Sequence, residues 1–296
     1  MIGMVILNYN DWVTVYEYLK LVTNYNVIDK IVVVDNCSTD DSWNKFQKLQ
    51  YNNVTYVKSK TNNGYSAGNN VGIRYLLDTY KNLDKIIISN PDINITQEDL
   101  IQIINAVNDT YVITTGLVYN SNKSETCVSL ASNWGWKVPL YKDMLCNCFL
   151  STYKISRNLL KKGIYYNIDN YNNSKYIDVE AVPGCFFVIS KDFIEKINLF
   201  DERTFLFGEE NILGFQVKER NKKIRIINNT KILHKQSTSI NKSIKRNQIK
   251  NRYLLDSYDL YMKEYLHCNK FEIVLYHVIF QIGLIEKKIL TMMLNI

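Results

Sequence analysis

The stretch that decides the fold is KIVVVDN, Lys30–Asn36. A run of β-branched residues with no polar alternation describes a strand buried on both faces, and it stops abruptly at an acid and an amide. Three other segments repeat the plan: MVILNYN (Met4–Asn10), NVTYVKS (Asn53–Ser59) and KIIISNP (Lys85–Pro91). Helix-like stretches separate them, over Trp12–Asn24, Asp41–Gln50, Ser66–Tyr80 and Thr96–Val107. The last opens on a capping residue, Thr96, with Asp99 three positions on. Strand–helix alternation of this kind predicts an α/β fold, a Rossmann-like and mainly parallel central sheet flanked by helices, with ligands at the carboxyl ends of the strands.

Those ends carry polar clusters: Asn8-Tyr9-Asn10, then Asp35 to Asp40 (DNCSTD), then NNGYSAGNNVG (Asn62–Gly72), then Asn90-Pro91-Asp92. A carboxylate at such an edge can accept a nucleobase N–H or hold a hard cation against a diphosphate. Asp35 and Asp40 equally suit helix caps, and Asp92 equally suits a turn. Further on, PGCFFVIS (Pro183–Ser190) reads as a strand, Lys191–Ile197 as a helix, Asn211–Arg220 as a helix and Lys223–Asn228 as a strand. An acidic loop lies between those two helices and contains Glu209 and Glu210 in TFLFGEENILG. Two acids between apolar walls favour one carboxyl with a raised pKa, suited to a general base; the alternative is a solvated helix turn.

At 296 residues and 46% hydrophobic, the chain is long and apolar enough to bury a full core, which excludes disordered and fibrous classes. Its six cysteines follow no metal-knuckle or disulfide spacing and read as reduced thiols. MIGMVILNYN reads as a buried first strand instead of a leader, so the expected location is the cytoplasm. The net charge of +7 is concentrated: seven basic residues and no acidic one lie between Lys231 and Leu255, and the rest of the chain balances at 29 against 29. Such a run faces phosphates, an anionic membrane or only solvent. No nucleic-acid module or interleaved aromatics accompany it, so no nucleic-acid partner is expected.

The run from Asn120 to Lys175 is irregular and is expected to hold a hairpin and a mobile loop. From about Ser243 the pattern is helical. Phe271–Ile285 is strongly apolar yet too short to span a bilayer. His277, Gln281, Lys288 and Thr291 share one narrow helical face, leaving a broad apolar one for the main domain, a dimer seam or a membrane interface.

The ordered set VILNYN, VVVDNCSTDDS, NNGYSAGNNVGI, SNPD, PGCFFVIS, FDERTFLFGEE and ILHKQS resembles the family 2 glycosyltransferases with a GT-A fold. The similar branch holds bacterial rhamnosyl-, galactosyl- and galactofuranosyltransferases of surface and capsule polysaccharides. The resemblance covers residues 1–239, with 240–296 as a basic and amphipathic helical extension. It implies nucleotide contacts from Asn8, Asn10, Asp35, Asn63, Gly64, Asn69 and Asn90. It implies that Asp92, with His234, binds Mg²⁺ or Mn²⁺ and the donor diphosphate. The family pattern there is Asp-x-Asp, and Asn90 stands at its first place, which implies weaker metal affinity. The usual Glu-Asp pair is Glu-Glu here, making Glu210 the implied catalytic base and Glu209 its neighbour; Ile212 stands where a further aspartate is common.

The implied activity is inverting, metal-dependent hexosyl transfer from a UDP- or dTDP-sugar. The implied acceptor is a polyprenyl-diphosphate-linked saccharide at the inner face of the plasma membrane, with peripheral membrane contact through the C-terminal segment and a homodimer as a further expectation. The competing reading is a non-catalytic nucleotide-sugar-binding scaffold at that surface. A pyrophosphorylase or a dinucleotide oxidoreductase requires a glycine-rich loop after the first strand, where this chain has Asn8-Tyr9-Asn10-Asp11-Trp12.

Overall fold

The computed structural model describes residues 1–121, 128–149, 163–235 and 247–294. Its strands are β1 (Ile2–Asn8), β2 (Lys30–Asp35), β3 (Val54–Lys58), β4 (Lys85–Ser89), β5 (Ile93–Asn94), β6 (Tyr111–Ser121), β7 (Val128–Leu130), β8 (Tyr176–Val179), β9 (Phe186–Ser190) and β10 (Lys223–His234). They form one sheet in the order β3-β2-β1-β4-β9-β6-β10-β5, with β7 on β6 and β8 on β10. The helices are α1 (Trp12–Val22), α2 (Ser42–Phe46), α3 (Tyr65–Thr79), α4 (Gln97–Ala106), α5 (Tyr141–Asn147), α6 (Lys191–Lys196), α7 (Glu209–Glu219), α8 (Asn247–Leu260) and α9 (Lys270–Leu294).

The four strands read from the apolar runs are parallel and adjacent: β1 pairs with β2 and β4, and β2 with β3. Their side chains alternate between two cores. Val5, Val32 and Val34 enter one core with Ile73 and Leu76 of α3. Met4, Ile6, Ile31 and Val33 enter the other with Val15 and Leu19 of α1 and Leu100 and Ile103 of α4. Burial on both faces is why these strands lack polar alternation. The Thr96 cap forms as expected, its hydroxyl accepting from Asp99 N at 3.1 Å.

Beyond β4 the sheet is mixed. Strand β9 runs antiparallel to both β4 and β6, while β6 and β10 are parallel. Among the described residues, β7, α5 and β8 lie between β6 and β9. The expected hairpin is present as the antiparallel β6–β7 pair. The expected mobile loop, the 239/240 boundary, Cys127, and Lys242, Lys245 and Arg246 of the basic run lie wholly or largely outside the described residues.

Two boundaries correct the sequence reading. Glu209 and Glu210 are the first two residues of α7, not part of a loop, because Gly208 at φ 81° turns the chain into the helix there. His234 is the last residue of β10, which continues past Asn228 through a register shift between Ile227 and Lys231. Helices α8 and α9 share a third core with the body: Tyr261, Tyr276 and Phe280 pack with Met144 of α5 and Ile212 of α7.

The segment before α7 is pinned to α3 by one buried side chain. Asn70 Nδ2 donates to Phe200 O at 2.9 Å and to Glu202 Oε1 at 2.8 Å, and its Oδ1 accepts from Phe200 N at 3.1 Å. Replacing Asn70 with Ala strands the Phe200 amide and carbonyl, each worth about 1–3 kcal/mol when buried without a partner. We expect Asn70→Ala to lower unfolding free energy by about 2–4 kcal/mol in denaturant titration.

Candidate active site

The first cluster forms where β1 and β2 end side by side, with Asn8 opposite Asp35. Asn8 Nδ2 donates to Asp35 Oδ1 at 3.0 Å and to Ser38 Oγ at 3.1 Å. Asp35 is fully buried, and its Oδ2 accepts from Ser38 N at 3.3 Å. Asn10, in left-handed conformation, organises the following loop: its Oδ1 accepts from Thr39 N and Asp40 N, and its backbone N–H donates to Ser38 Oγ. Asp40, just before α2, in turn accepts from Ser42 N, while the N-cap position itself belongs to Asp41. Carboxylate and amide oxygens here keep further lone pairs for a ligand N–H, and Asn8 Oδ1 is buried without a partner.

The glycine-rich segment serves mainly as a joint. Gly64 has φ +97°, and a Cβ on it would lie 2.1 Å from Phe205 O. That close approach lets Tyr65 N, at the start of α3, donate to Phe205 O at 2.9 Å. Asn62 is the residue that shapes the turn, accepting from Asn36 Nδ2 at 3.0 Å and Gly64 N at 3.1 Å. Asn63, singled out by the resemblance, is exposed instead. Asn69 is buried within α3, donating to Tyr65 O while its Oδ1 has no partner.

Asp92 and His234 meet through backbone pairing. Strands β5 and β10 place His234 opposite Ile93, and Lys235 N donates to Asp92 O at 2.9 Å. Nε2 of His234 then lies 3.3 Å from Oδ2 of the buried Asp92. Neighbouring ligands of an octahedral ion with bonds of roughly 2.1 Å are about 3 Å apart, so this pair fits one edge of such a site. Among the described residues no group of three or more His, Cys, Asp or Glu could hold a metal. The remaining positions therefore suit a diphosphate and water, the usual company of Mg²⁺. Asn90 reaches the same corner through its backbone, its N–H donating to Cys185 O at 2.8 Å.

Glu209 and Glu210 diverge. Glu209 lines a void of about 10 Å³ between α3 and α7, with Ser66 and Phe200, and its Oε2 is buried without a partner. Burial, then the neighbouring Glu210 charge, holds its carboxyl well above the usual range. Glu210 lines a different space, a cavity of about 560 Å³ with Trp136, Tyr165, Phe207, Tyr258 and Lys287. Burial also raises its pKa, against hydrogen bonds from its own amide and from Gly184 N, the latter 3.3 Å from Oε1. Aromatic rings and the amides of Asn133, Asn147, Asn211 and Asn251 line this cavity, which suits a polyhydroxylated ring. Burial of the Cys185 thiol, then the charges of Asp92 and Glu210, push its pKa up, so both carboxylates act on one buried atom.

Tyr65, Trp136, Gly184, Tyr258 and Lys287 escaped the sequence reading. Gly184 and Tyr65 lie within quoted motifs, but nothing local shows that the Tyr65 hydroxyl donates to Gly184 O. Trp136, donating to Asn211 Oδ1 at 2.8 Å, comes from the irregular region.

The family model described as glycosyl transferase family 2 matches residues 4–197. The low-salt glycan biosynthesis hexosyltransferase Agl10 of Haloferax volcanii is 35% identical over 100 residues, 33% of this chain; the match spans only 30% of that relative. Three solved structures resemble the fold. GalNAc-T7 with UDP, GalNAc and Mn²⁺ superposes at TM-score 0.57 with 14% identity, over 79% of this chain and 43% of that one. Staphylococcus aureus TarS residues 1–349 gives 0.51 with 12% identity, over 88% and 72%. The Pyrobaculum calidifontis mannosyltransferase PcManGT with GDP-Man and Mn²⁺ gives 0.51 with 11% identity, over 80% and 57%.

The raised Glu209 carboxyl has a consequence for stability. Between the ordinary glutamate value of about 4.3 and its raised value, the folded chain holds more protons than the unfolded one, so stability falls as pH rises through that interval. We expect Glu209→Gln to flatten this loss, with its melting temperature gaining on wild type as pH rises above about 4.3. Parallel melting-temperature profiles for the two proteins would show that Glu209 carries no such shift.

Proposed function

Because the chain belongs to glycosyl transferase family 2, we propose that it moves a hexose from a nucleoside-diphosphate donor to a hydroxyl of a saccharide acceptor, with inversion at the anomeric carbon. One observation carries the reading. Glu210 lines a saccharide-sized cavity while Asp92 and His234 converge at a strand edge, and the Gly184–Cys185 turn donates to Glu210 and accepts from the backbone of Asn90, two residues before Asp92.

Asn8 and Asp35 receive the nucleobase, and the donor diphosphate lies toward Asp92 and His234. A Mg²⁺ or Mn²⁺ ion held by these two would offset the charge growing on the leaving nucleoside diphosphate. Glu210 accepts the proton of the acceptor hydroxyl. The freed oxygen forms its bond to the anomeric carbon as the bond from that carbon to the β-phosphate oxygen breaks, its electron pair leaving with the nucleoside diphosphate. Glu209, holding its proton, keeps a second negative charge away from the base. The Mn²⁺ and nucleotide or nucleotide-sugar in two structures of similar fold support this donor class, and a UDP- or dTDP-sugar is our choice within it.

We extend the proposal to a polyprenyl-diphosphate-linked acceptor at the inner face of the plasma membrane, in the synthesis of surface or capsule polysaccharide. Lys287 on the cavity wall offers a cation to its diphosphate, and the basic run from Lys231 to Leu255 offers contact with anionic lipid. No described helix is long and apolar enough to cross a membrane.

General-base catalysis contributes about 10²–10⁴-fold, so Glu210→Gln should lower kcat by that factor while donor binding, read by calorimetry, stays unchanged. Asp92→Asn should weaken donor binding and abolish its enhancement by Mn²⁺. A thermal-shift panel of UDP-, dTDP- and GDP-sugars, each with and without Mn²⁺, tests donor and metal together; no response to any of them sinks the reading. Binding to phosphatidylglycerol vesicles should be strong at low ionic strength and lost at high salt.

A further inference from the structure

Helix α9 has two apolar faces. One packs Tyr276 and Phe280 into the third core. The opposite face is bare: Phe271 is 75% exposed, Val278 52%, Ile282 49%, Ile285 59% and Met292 62%. With Leu275 and Ile289, also exposed, these residues are spaced alternately four and three apart over three heptads. This is the 3.5-residue period of a coiled-coil seam, with Leu275, Ile282 and Ile289 at a positions and Phe271, Val278, Ile285 and Met292 at d positions.

We propose that this stripe is the seam of a parallel, two-stranded coiled coil with a second copy of the chain. Two features select that occupant. The flanks avoid like-charge contact in one orientation: Glu272, Ile279, Glu286 and Met293 occupy e positions, and Val274, Gln281 and Lys288 occupy g positions. A parallel pair sets Gln281 beside Glu286 of the second copy, whereas an antiparallel pair sets Glu272 against Glu286, like against like. At on the order of 100 Å² for each of the seven stripe residues, two copies bury more than the roughly 1,000 Å² that a specific interface requires. A helix lying on anionic lipid instead carries several Lys and Arg beside its apolar face, where this one carries Glu272 and Glu286 along one flank and a single cation, Lys288, along the other. The cavity takes its α9 wall from Tyr276, Phe280, Gly283, Leu284 and Lys287, on the side away from the seam, so both copies keep their sites open.

Sedimentation at micromolar concentration tests the proposal, independently of any transfer assay. Wild type should sediment at twice the 34.7 kDa of one chain. The double variant Ile282→Glu/Ile289→Glu should be a monomer with an unchanged circular-dichroism spectrum. Ile282→Cys should cross-link to its own copy under mild oxidation, above the background of wild type, since parallel a positions face each other. A monomeric wild type overturns the proposal, as does a dimer that survives the double substitution. A dimer that dissolves in the double variant without cross-linking at Cys introduced at 282 overturns the parallel orientation. A monomer that binds phosphatidylglycerol vesicles and loses them in the double variant assigns the face to lipid.

Discussion

The site depends on a short turn, Pro183 to Cys185, that enters strand β9. Its backbone satisfies three elements at once: Cys185 O accepts from Asn90 N, Gly184 O accepts from the Tyr65 hydroxyl, and Gly184 N donates to Glu210 Oε1. Buried backbone groups must find partners, so the antiparallel insertion of β9 beside β4 does more than complete the sheet. It brings the end of the parallel half, the start of α3 and the start of α7 to one place. The Tyr65 N to Phe205 O bond, possible only because Gly64 has no side chain, closes the same ring from the other side.

Within that ring, two adjacent glutamates acquire different chemistry from helix geometry. Successive residues on a helix point about 100° apart, so Glu209 turns into a void against α3 while Glu210 turns into the open cavity. Burial raises both carboxyls, and their place in the first turn of α7 works against that rise, because a helix N-terminus favours negative charge. Glu210 also receives the Gly184 amide, which Glu209 lacks. The two carboxyls differ through their surroundings, not through residue type.

The two halves of the site come from different parts of the chain. Asn8, Asp35 and Asp92 lie within the residues matched by the family, 4–197. Glu210 and His234 lie beyond that match, as do the cavity walls from α8 and α9. Ile212 of α7 shares its core with Tyr261 and Tyr276, so the C-terminal helices are structural neighbours of the helix that carries Glu210. Residues of the matched region, among them Trp136 and Tyr165, and residues of α8 and α9 therefore line one cavity together.

What the sequence determined by itself is the part governed by near-neighbour rules. Unbroken Ile and Val runs favour buried strands, their polar ends favour an edge, and Thr96 with Asp99 favours a helix start. Strand pairing then carries Asn8 to Asp35 without further instruction. Tertiary structure alone decided the rest. The antiparallel places of β9 and β5, the meeting of His234 with Asp92, and the start of α7 at Glu209 depend on contacts between residues far apart in the chain. That Asn62 shapes the turn before α3 was not legible either, because an amide's role is set by the carbonyls and amides that the fold brings within about 3 Å, which local sequence does not encode.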